Sequence, residues 1–168
     1  MVDLVEVIRD ATPAEAQALE DLQRRSSLVW EEYRAQLTAH PDAISLPVSL
    51  IHDAMVRVAC GPERILGFSV TMPSVDCGGP DELDGLFVEP DAMRGGVGRA
   101  LIADVVARAG RRGVPAIEVT ANPRALDFYR KVGFRDRETV ATRFGPGLRM
   151  RLEVDGAEPR PAERAASP

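Results

Sequence analysis

The sequence predicts one mixed α/β domain over residues 1–154, and three observations carry that prediction. Short apolar runs of strand period alternate with amphipathic helical runs. A loop with glycines at 95, 96 and 98 joins one such strand to a helix. A hairpin closes the domain, and its last strand alternates strictly, with Leu148, Met150, Leu152 and Val154 against Arg149, Arg151 and Glu153. The predicted order is βααββ–βαβα–ββ, and 168 residues suffice for one domain with a sizeable core.

Val2, Leu4, Glu6 and Ile8 alternate with Asp3, Val5, Val7 and Arg9, which suits a first strand with a buried face. Thr12-Pro13, with Glu15 three residues after the cap, has capping-box spacing and opens a helix to about residue 25. A second helix is expected over 28–39, ending before Pro41, and then a loop over 41–53. Strands follow over 55–59 and 65–72, joined by the tight turn Gly61-Pro62-Glu63-Arg64. After a turn-rich loop over 73–80 come a strand over 83–88, the glycine loop and a helix over 97–112. In that helix Val97, Leu101, Ile102, Val105 and Ala109 form one apolar face.

A strand over 116–120 leads to a helix over 123–132, with Asn122 as N-cap, Pro123 at the first position and Gly133 just past the end. The closing hairpin is read as strands over 137–144 and 148–154 around a Gly145-Pro146-Gly147 turn. The segment 155–168 is polar and Pro/Ala-rich, so it is expected to be a disordered tail.

Composition narrows the function. A net charge of −5 disfavours a general nucleic-acid binder, which displays a basic excess. Cys60 and Cys77 fit no metal spacing, and His40 and His52 are too few to complete a site, so no metal is expected. The first ten residues carry acids where a signal peptide needs a basic region, and no apolar run approaches the roughly 18 residues of a membrane span. A cytoplasmic protein without membrane partners is the expectation. Lys131 is the sole lysine, and the excess of Arg, Ala, Gly and Pro suits a high-GC bacterial genome.

Glycines before a helix let backbone N–H groups converge on an anion, and the helix terminus adds partial positive charge. A P-loop needs Gly-Lys-Ser/Thr, whereas Gly98 precedes Arg99-Ala100. The dinucleotide pattern GxGxxG, started at Gly96, meets Leu101 at its third glycine. A plain connector remains open, but three clustered glycines cost about 0.5–1 kcal/mol each where their conformation is not needed.

Residues 82–101, ELDGLFVEPDAMRGGVGRAL, and 122–134, NPRALDFYRKVGF, together resemble the GNAT superfamily of acetyl-CoA-dependent N-acetyltransferases. The first segment matches its Gln/Arg-x-x-Gly-x-Gly/Ala loop and the second its Asn…Ala…Phe-Tyr…Gly-Phe segment. The resemblance extends from Val2 to Val154. It implies a mostly antiparallel sheet of about seven strands flanked by about four helices, with acetyl-CoA as co-substrate. Met93 stands where the family prefers Gln or Arg, with Arg94 one position late. The resemblance implies that the backbone of Met93, Arg94, Gly95, Gly96, Val97, Gly98 and Arg99 holds the CoA pyrophosphate. It also implies that Phe87, Val88 and Glu89 take the pantetheine arm, with the Val88 N–H donating to the thioester carbonyl.

Tyr129 matches the family tyrosine that protonates the leaving thiolate, although the helix face Ala125, Phe128, Tyr129, Val132 also suits an aromatic core residue. Asn122 matches the family asparagine that bonds the CoA arm, and an N-cap serves equally well. Glu82 and Asp84, two apart on one strand, are the candidate bases; solvated acids at a strand start are the competing reading. Glu89 is a weaker candidate, and a water relay needs no single base. Trp30, Glu31, Glu32 and Tyr33, with the 41–53 loop, lie where the family selects its acceptor. A Trp-Glu-Glu-Tyr cluster can receive a cationic amine, while a solvated acidic helix face explains the same letters. The expected activity is direct acetyl transfer in a ternary complex to a small-molecule or peptide amine. A non-catalytic acyl-CoA sensor is the alternative, and a homodimer is one expected state.

Overall fold

In a computed structural model that describes residues 4–156, seven strands form one sheet. They are β1 (Val7–Asp10), β2 (Val56–Cys60), β3 (Ile65–Met72), β4 (Asp81–Val88), β5 (Ala116–Ala121), β6 (Arg135–Thr142) and β7 (Gly145–Glu153). Their order across the sheet is β1-β2-β3-β4-β5-β7-β6. Every neighbouring pair is antiparallel except β4 and β5. The helices are α1 (Ala16–Ser27), α2 (Glu31–Ala39), α3 (Val48–His52), α4 (Val97–Arg111) and α5 (Leu126–Lys131). Val2 of the expected first strand and residues 157–168 of the expected tail lie outside the described residues.

The sheet is packed on both faces. On one, Leu19 and Leu22 of α1 and Ile51 of α3 meet Val56, Val58, Phe68 and Val70. On the other, Ile102, Val105 and Ala109 of α4 join Leu83, Ile117 and Met150. Val97 and Leu101 extend that side to Ala59 and Leu66. Leu19, Phe68, Leu101 and Ile117 are wholly buried, and each such side chain contributes about 1.5–3 kcal/mol. The buried face of α4 is the one its apolar spacing predicts.

Local chemistry explains the entry to α1. The Glu15 carboxylate accepts the Thr12 backbone N–H at 2.8 Å, as the capping-box spacing requires, and takes two further hydrogen bonds from Arg9 at 2.7 and 3.1 Å. Those bonds to Arg9, the larger influence, and the one to Thr12 outweigh the opposing effect of burial and hold the Glu15 carboxyl down to about 2.

Several boundaries differ from expectation. β1 begins at Val7, which is half exposed because this strand is the edge of the sheet. The second helix starts three residues late: Trp30 is extended (φ −94°, ψ 114°), so the chain breaks after α1 before α2 begins. The expected loop 41–53 contains α3, which buries Ile51 under the sheet. α5 begins at Leu126, after a turn at 123–125.

The closing hairpin turns at Arg143-Phe144, so Gly145-Pro146-Gly147 lies within β7. Thr142 sets that turn: its hydroxyl donates to the Gly145 carbonyl at 2.6 Å and accepts the Phe144 N–H at 3.3 Å.

Candidate active site

β4 and β5 begin as neighbours and separate at once. They pair only at Asp81↔Ile117 and Glu82↔Glu118, after which β5 continues along β7. The shared end is pinned by Asp81, 1% exposed, which takes the Ser74 N–H at 3.2 Å and Arg112 at 2.7 and 3.4 Å. Beyond it β4 keeps its β3 ladder to Gly67↔Val88, with one register shift where Asp84 has no partner across the strand. A carboxyl-end crevice between diverging parallel strands is the usual ligand site of an open α/β sheet.

The ladder fixes which groups face that crevice. The Glu89 N–H donates to Leu66 O at 2.8 Å, and hydrogen bonding alternates along an antiparallel strand. The Val88 N–H therefore points away from β3, toward the side that β5 has left. The Val88 side chain faces α4, close to Gly98, while the Phe87 ring packs on Phe68 with centroids 5.1 Å apart. By the same alternation the Phe87 backbone faces β3, opposite Phe68, and its ring belongs to the core under α1, so the contact expected of Phe87 is not one it offers the crevice.

The segment after β4 curls into a cradle. A 3-10 turn at Pro90–Ala92 is followed by Met93 (φ −60°, ψ 145°), Arg94 at φ 65° and Gly96 at φ 85°. Such changes of φ sign bring neighbouring N–H groups to one side, and Gly96 caps α4 in a conformation that a side chain resists. The Gly95 N–H is spent on Ala92 O at 3.2 Å, which removes it from the expected donors. The first helical bond of α4 runs from Ala100 to Gly96 O, and among the described residues no backbone carbonyl takes the N–H of Gly96, Val97, Gly98 or Arg99. A Cβ on Gly98 would stand 3.0 Å from the Phe128 ring, so glycine here lets α4 and α5 approach across the crevice. Arg94 and Arg99 are exposed and among the described residues pair with no carboxylate, leaving two guanidinium groups beside this cradle.

Tyr129 is 7% exposed on α5, edge-on to Phe128 at 5.2 Å and to Phe134 at 5.3 Å. Burial pushes its phenol well above the usual tyrosine value, so it stays protonated through the physiological range. Asn122 is exposed at the end of β5. Its Oδ1 accepts the N–H groups of Arg124 at 3.0 Å and Ala125 at 3.1 Å, so it caps the turn before α5.

The acids are held very differently. Glu82 takes Arg149 Nη1 with both oxygens, at 2.7 and 2.9 Å. Arg149 also reaches Thr120 at 3.0 Å and Glu118 at 2.5 Å, and Arg151 holds the other Glu118 oxygen at 3.0 Å. Burial pushes Glu118 up, but the hydrogen bonds from Arg151 and Arg149 outweigh it and leave the carboxyl below its ordinary value. Asp84 is exposed. Glu89 is buried and paired with Arg25 of α1 at 2.5 and 3.1 Å.

At the carboxyl end of β5 a cavity of about 190 Å³ lies among Glu32, Tyr33, Gln36, Pro123, Arg124 and Phe144. Arg124 pairs with Glu32 and stacks over Trp30 at 5.6 Å, so a cation from the protein already occupies the Trp-Glu cluster. Arg143 pairs with Asp42 at 3.1 Å and lies over the Phe144 ring at 5.3 Å. Sequence reasoning missed Arg25, Arg124, Arg149 and Phe144. Arg25, Arg124 and Arg149 act through partners distant in the chain, Phe144 lines a cavity that only the fold assembles, and only the period-2 pattern of β7 hinted at a face for Arg149.

Residues 55–153 match the model of the acetyltransferase (GNAT) domain. Over 62 residues the chain is 36% identical to an uncharacterised N-acetyltransferase of Methanocaldococcus jannaschii, a match covering 35% of this chain and 27% of that protein. The chain thus spans about a quarter of the length of the curated relative it matches. In fold it is similar to the PaiA N-acetyltransferase of Thermoplasma acidophilum, solved with coenzyme A: TM-score 0.72, 17% identity, covering 88% of this chain and 98% of that one. The ribosomal-protein-S18-alanine N-acetyltransferase of Escherichia coli gives TM-score 0.63 and 18% identity, covering 88% and 93%.

Proposed function

The chain belongs to the GNAT acetyltransferase family, and from that premise we propose that it moves the acetyl group of acetyl-CoA to an amine by direct attack in a ternary complex. One observation supports this most: the open edge of β4 at Val88 leads into a cradle at the start of α4 whose N–H groups meet no backbone carbonyl among the described residues. An extended pantetheine arm can replace the missing strand beside β4, and the cradle is suited to a pyrophosphate. The residues in these roles are Val88 for the arm, by backbone, and Arg94, Gly96, Val97, Gly98 and Arg99 for the phosphates; the backbones of Phe87 and Glu89 are turned to β3 and the following turn, so these two frame Val88 without holding the arm. Met93 shapes the turn, and Gly95 braces it through Ala92.

In this reading the amine nitrogen attacks the thioester carbon. The carbonyl oxygen takes up negative charge against the Val88 N–H. Collapse breaks the carbon–sulfur bond, and Tyr129, kept protonated by burial, gives its proton to the departing thiolate. The ammonium proton leaves through Glu82 or Asp84, directly or by water, and Arg149 fixes the Glu82 carboxylate for that task. The cavity between α2 and the β6–β7 turn receives the body of the acceptor, with Tyr33 as wall and Trp30 behind Arg124. Since Arg124 already occupies the Trp30–Glu32 pair, the acceptor ammonium is better placed toward Glu82 than toward α2.

Calorimetry with acetyl-CoA, followed by CoA release over a panel of small amines, amino acids and peptide N-termini, tests the proposal. Saturable binding and turnover of at least one amine are expected. Binding without turnover of any would favour an acyl-CoA sensor, and no binding would sink both readings.

A further inference from the structure

The junction between β4 and the glycine loop is gripped from another element. Glu89 is 7% exposed, and Arg25 of α1 gives it Nη2–H at 2.5 Å and Nε–H at 3.1 Å. The Glu89 backbone is equally committed: its N–H reaches Leu66 O at 2.8 Å and its carbonyl takes the Ala92 N–H at 2.9 Å. Ala92 O in turn takes the Gly95 N–H, so a chain of bonds runs from Glu89 into the cradle. On the outer side Arg64 holds Asp91 with two contacts of 2.8 Å. Glu89 also directly follows Val88, whose N–H faces the crevice.

We propose that Arg25 is a positioning residue for the acetyl-CoA cleft, orienting and neutralising Glu89 so that the Val88 N–H and the glycine loop keep their aim. The inference rests on the acetyl-CoA reading given above. It has an electrostatic part as well as a geometric one. A buried carboxylate left unpaired beside Val88 would repel the pyrophosphate and the oxyanion alike, so losing Arg25 alone is worse than losing both charges. Arg25 lies five residues before Trp30, where the chain turns into α2, so the same contact ties the cofactor end of the cleft to its acceptor side. Its side chain is 53% exposed, which makes substitution there tolerable for the fold.

The test compares wild type, Arg25→Met, Arg25→Lys, Glu89→Gln and the Arg25→Met/Glu89→Gln double variant. Acetyl-CoA affinity is measured by calorimetry, and hydrogen exchange is followed in the 87–99 segment. Arg25→Met should weaken acetyl-CoA binding by about ten-fold or more and speed exchange in that segment alone. Arg25→Lys should recover part of the loss, and the double variant should bind more tightly than Arg25→Met. Wild-type affinity in Arg25→Met, or a loss that follows a uniform fall in melting temperature and uniformly faster exchange, overturns the proposal. A double variant no better than Arg25→Met removes the neutralising role. Wild type that does not bind acetyl-CoA at all fails earlier, and that result counts against the proposed function itself.

Discussion

The two edges of β4 are used in opposite ways. Toward β3 the strand keeps its ladder from Met72↔Glu82 to Gly67↔Val88, yielding only at the bulge by Asp84. Toward β5 it makes two pairings and stops. A backbone edge left open in the middle of a sheet is costly unless something fills it. The difference separates a held edge from an open one: the β3 edge aims the Val88 N–H, and the β5 edge leaves it facing the crevice.

Four substitutions probe that contrast, in decreasing order of expected effect. Tyr129→Phe, on the β5 side, should lower the rate of CoA release by about 10²-fold or more, the usual size of a lost general acid. Acetyl-CoA affinity should hold, and a full-rate variant would remove the tyrosine from the chemistry. Asp81→Ala unpins the closed end of the crevice and leaves Arg112 and the Ser74 N–H without their partner. A loss of about 2 kcal/mol in urea unfolding is expected, discounted because Arg112 is half exposed.

Gly96→Ala puts a side chain at φ 85° and should cost about 1 kcal/mol, with a matching several-fold loss of acetyl-CoA affinity. If stability falls and affinity does not, the cradle is a connector. Glu15→Gln is the control far from the crevice. The Glu15 carboxyl is depressed in the folded state to about 2, so its stabilisation is present above the ordinary carboxylate range and is lost as pH falls toward 2. The variant should be less stable by about 1 kcal/mol at pH 7, indistinguishable from wild type near pH 2, and unchanged in acetyl-CoA binding.

The parts of this architecture that were legible in the sequence are those with local causes. The apolar spacing of α4 gave its buried face residue by residue, and β3 has the bounds its run of apolar residues predicts. Gly96 is the left-handed cap that a glycine there suggests. Local signals also misled where two competed. Gly-Pro-Gly is strong turn chemistry, yet Thr142 moved the turn to Arg143-Phe144. The Pro-rich 41–53 stretch hid α3 because its helix depends on burying Ile51 rather than on propensity. The long-range arginine pairs left little local trace, no more than the β7 alternation for Arg149: Arg25 with Glu89 and Arg149 with Glu82 join residues more than sixty apart. Glu82 was chosen by position in the chain, and only the fold shows that it sits in a guanidinium-bridged network.

The Phe128–Gly98 contact has a mechanical meaning. The sheet consists of two plates, β1 to β4 and β5 to β7, joined by ladder pairing at Asp81 and Glu82 and bridged by the buried face of α4, with the Phe128 ring set against Gly98 at the open end. Beyond that joint the plates are held by packing rather than by ladder bonds, and a ligand lying between them would add to the bridge.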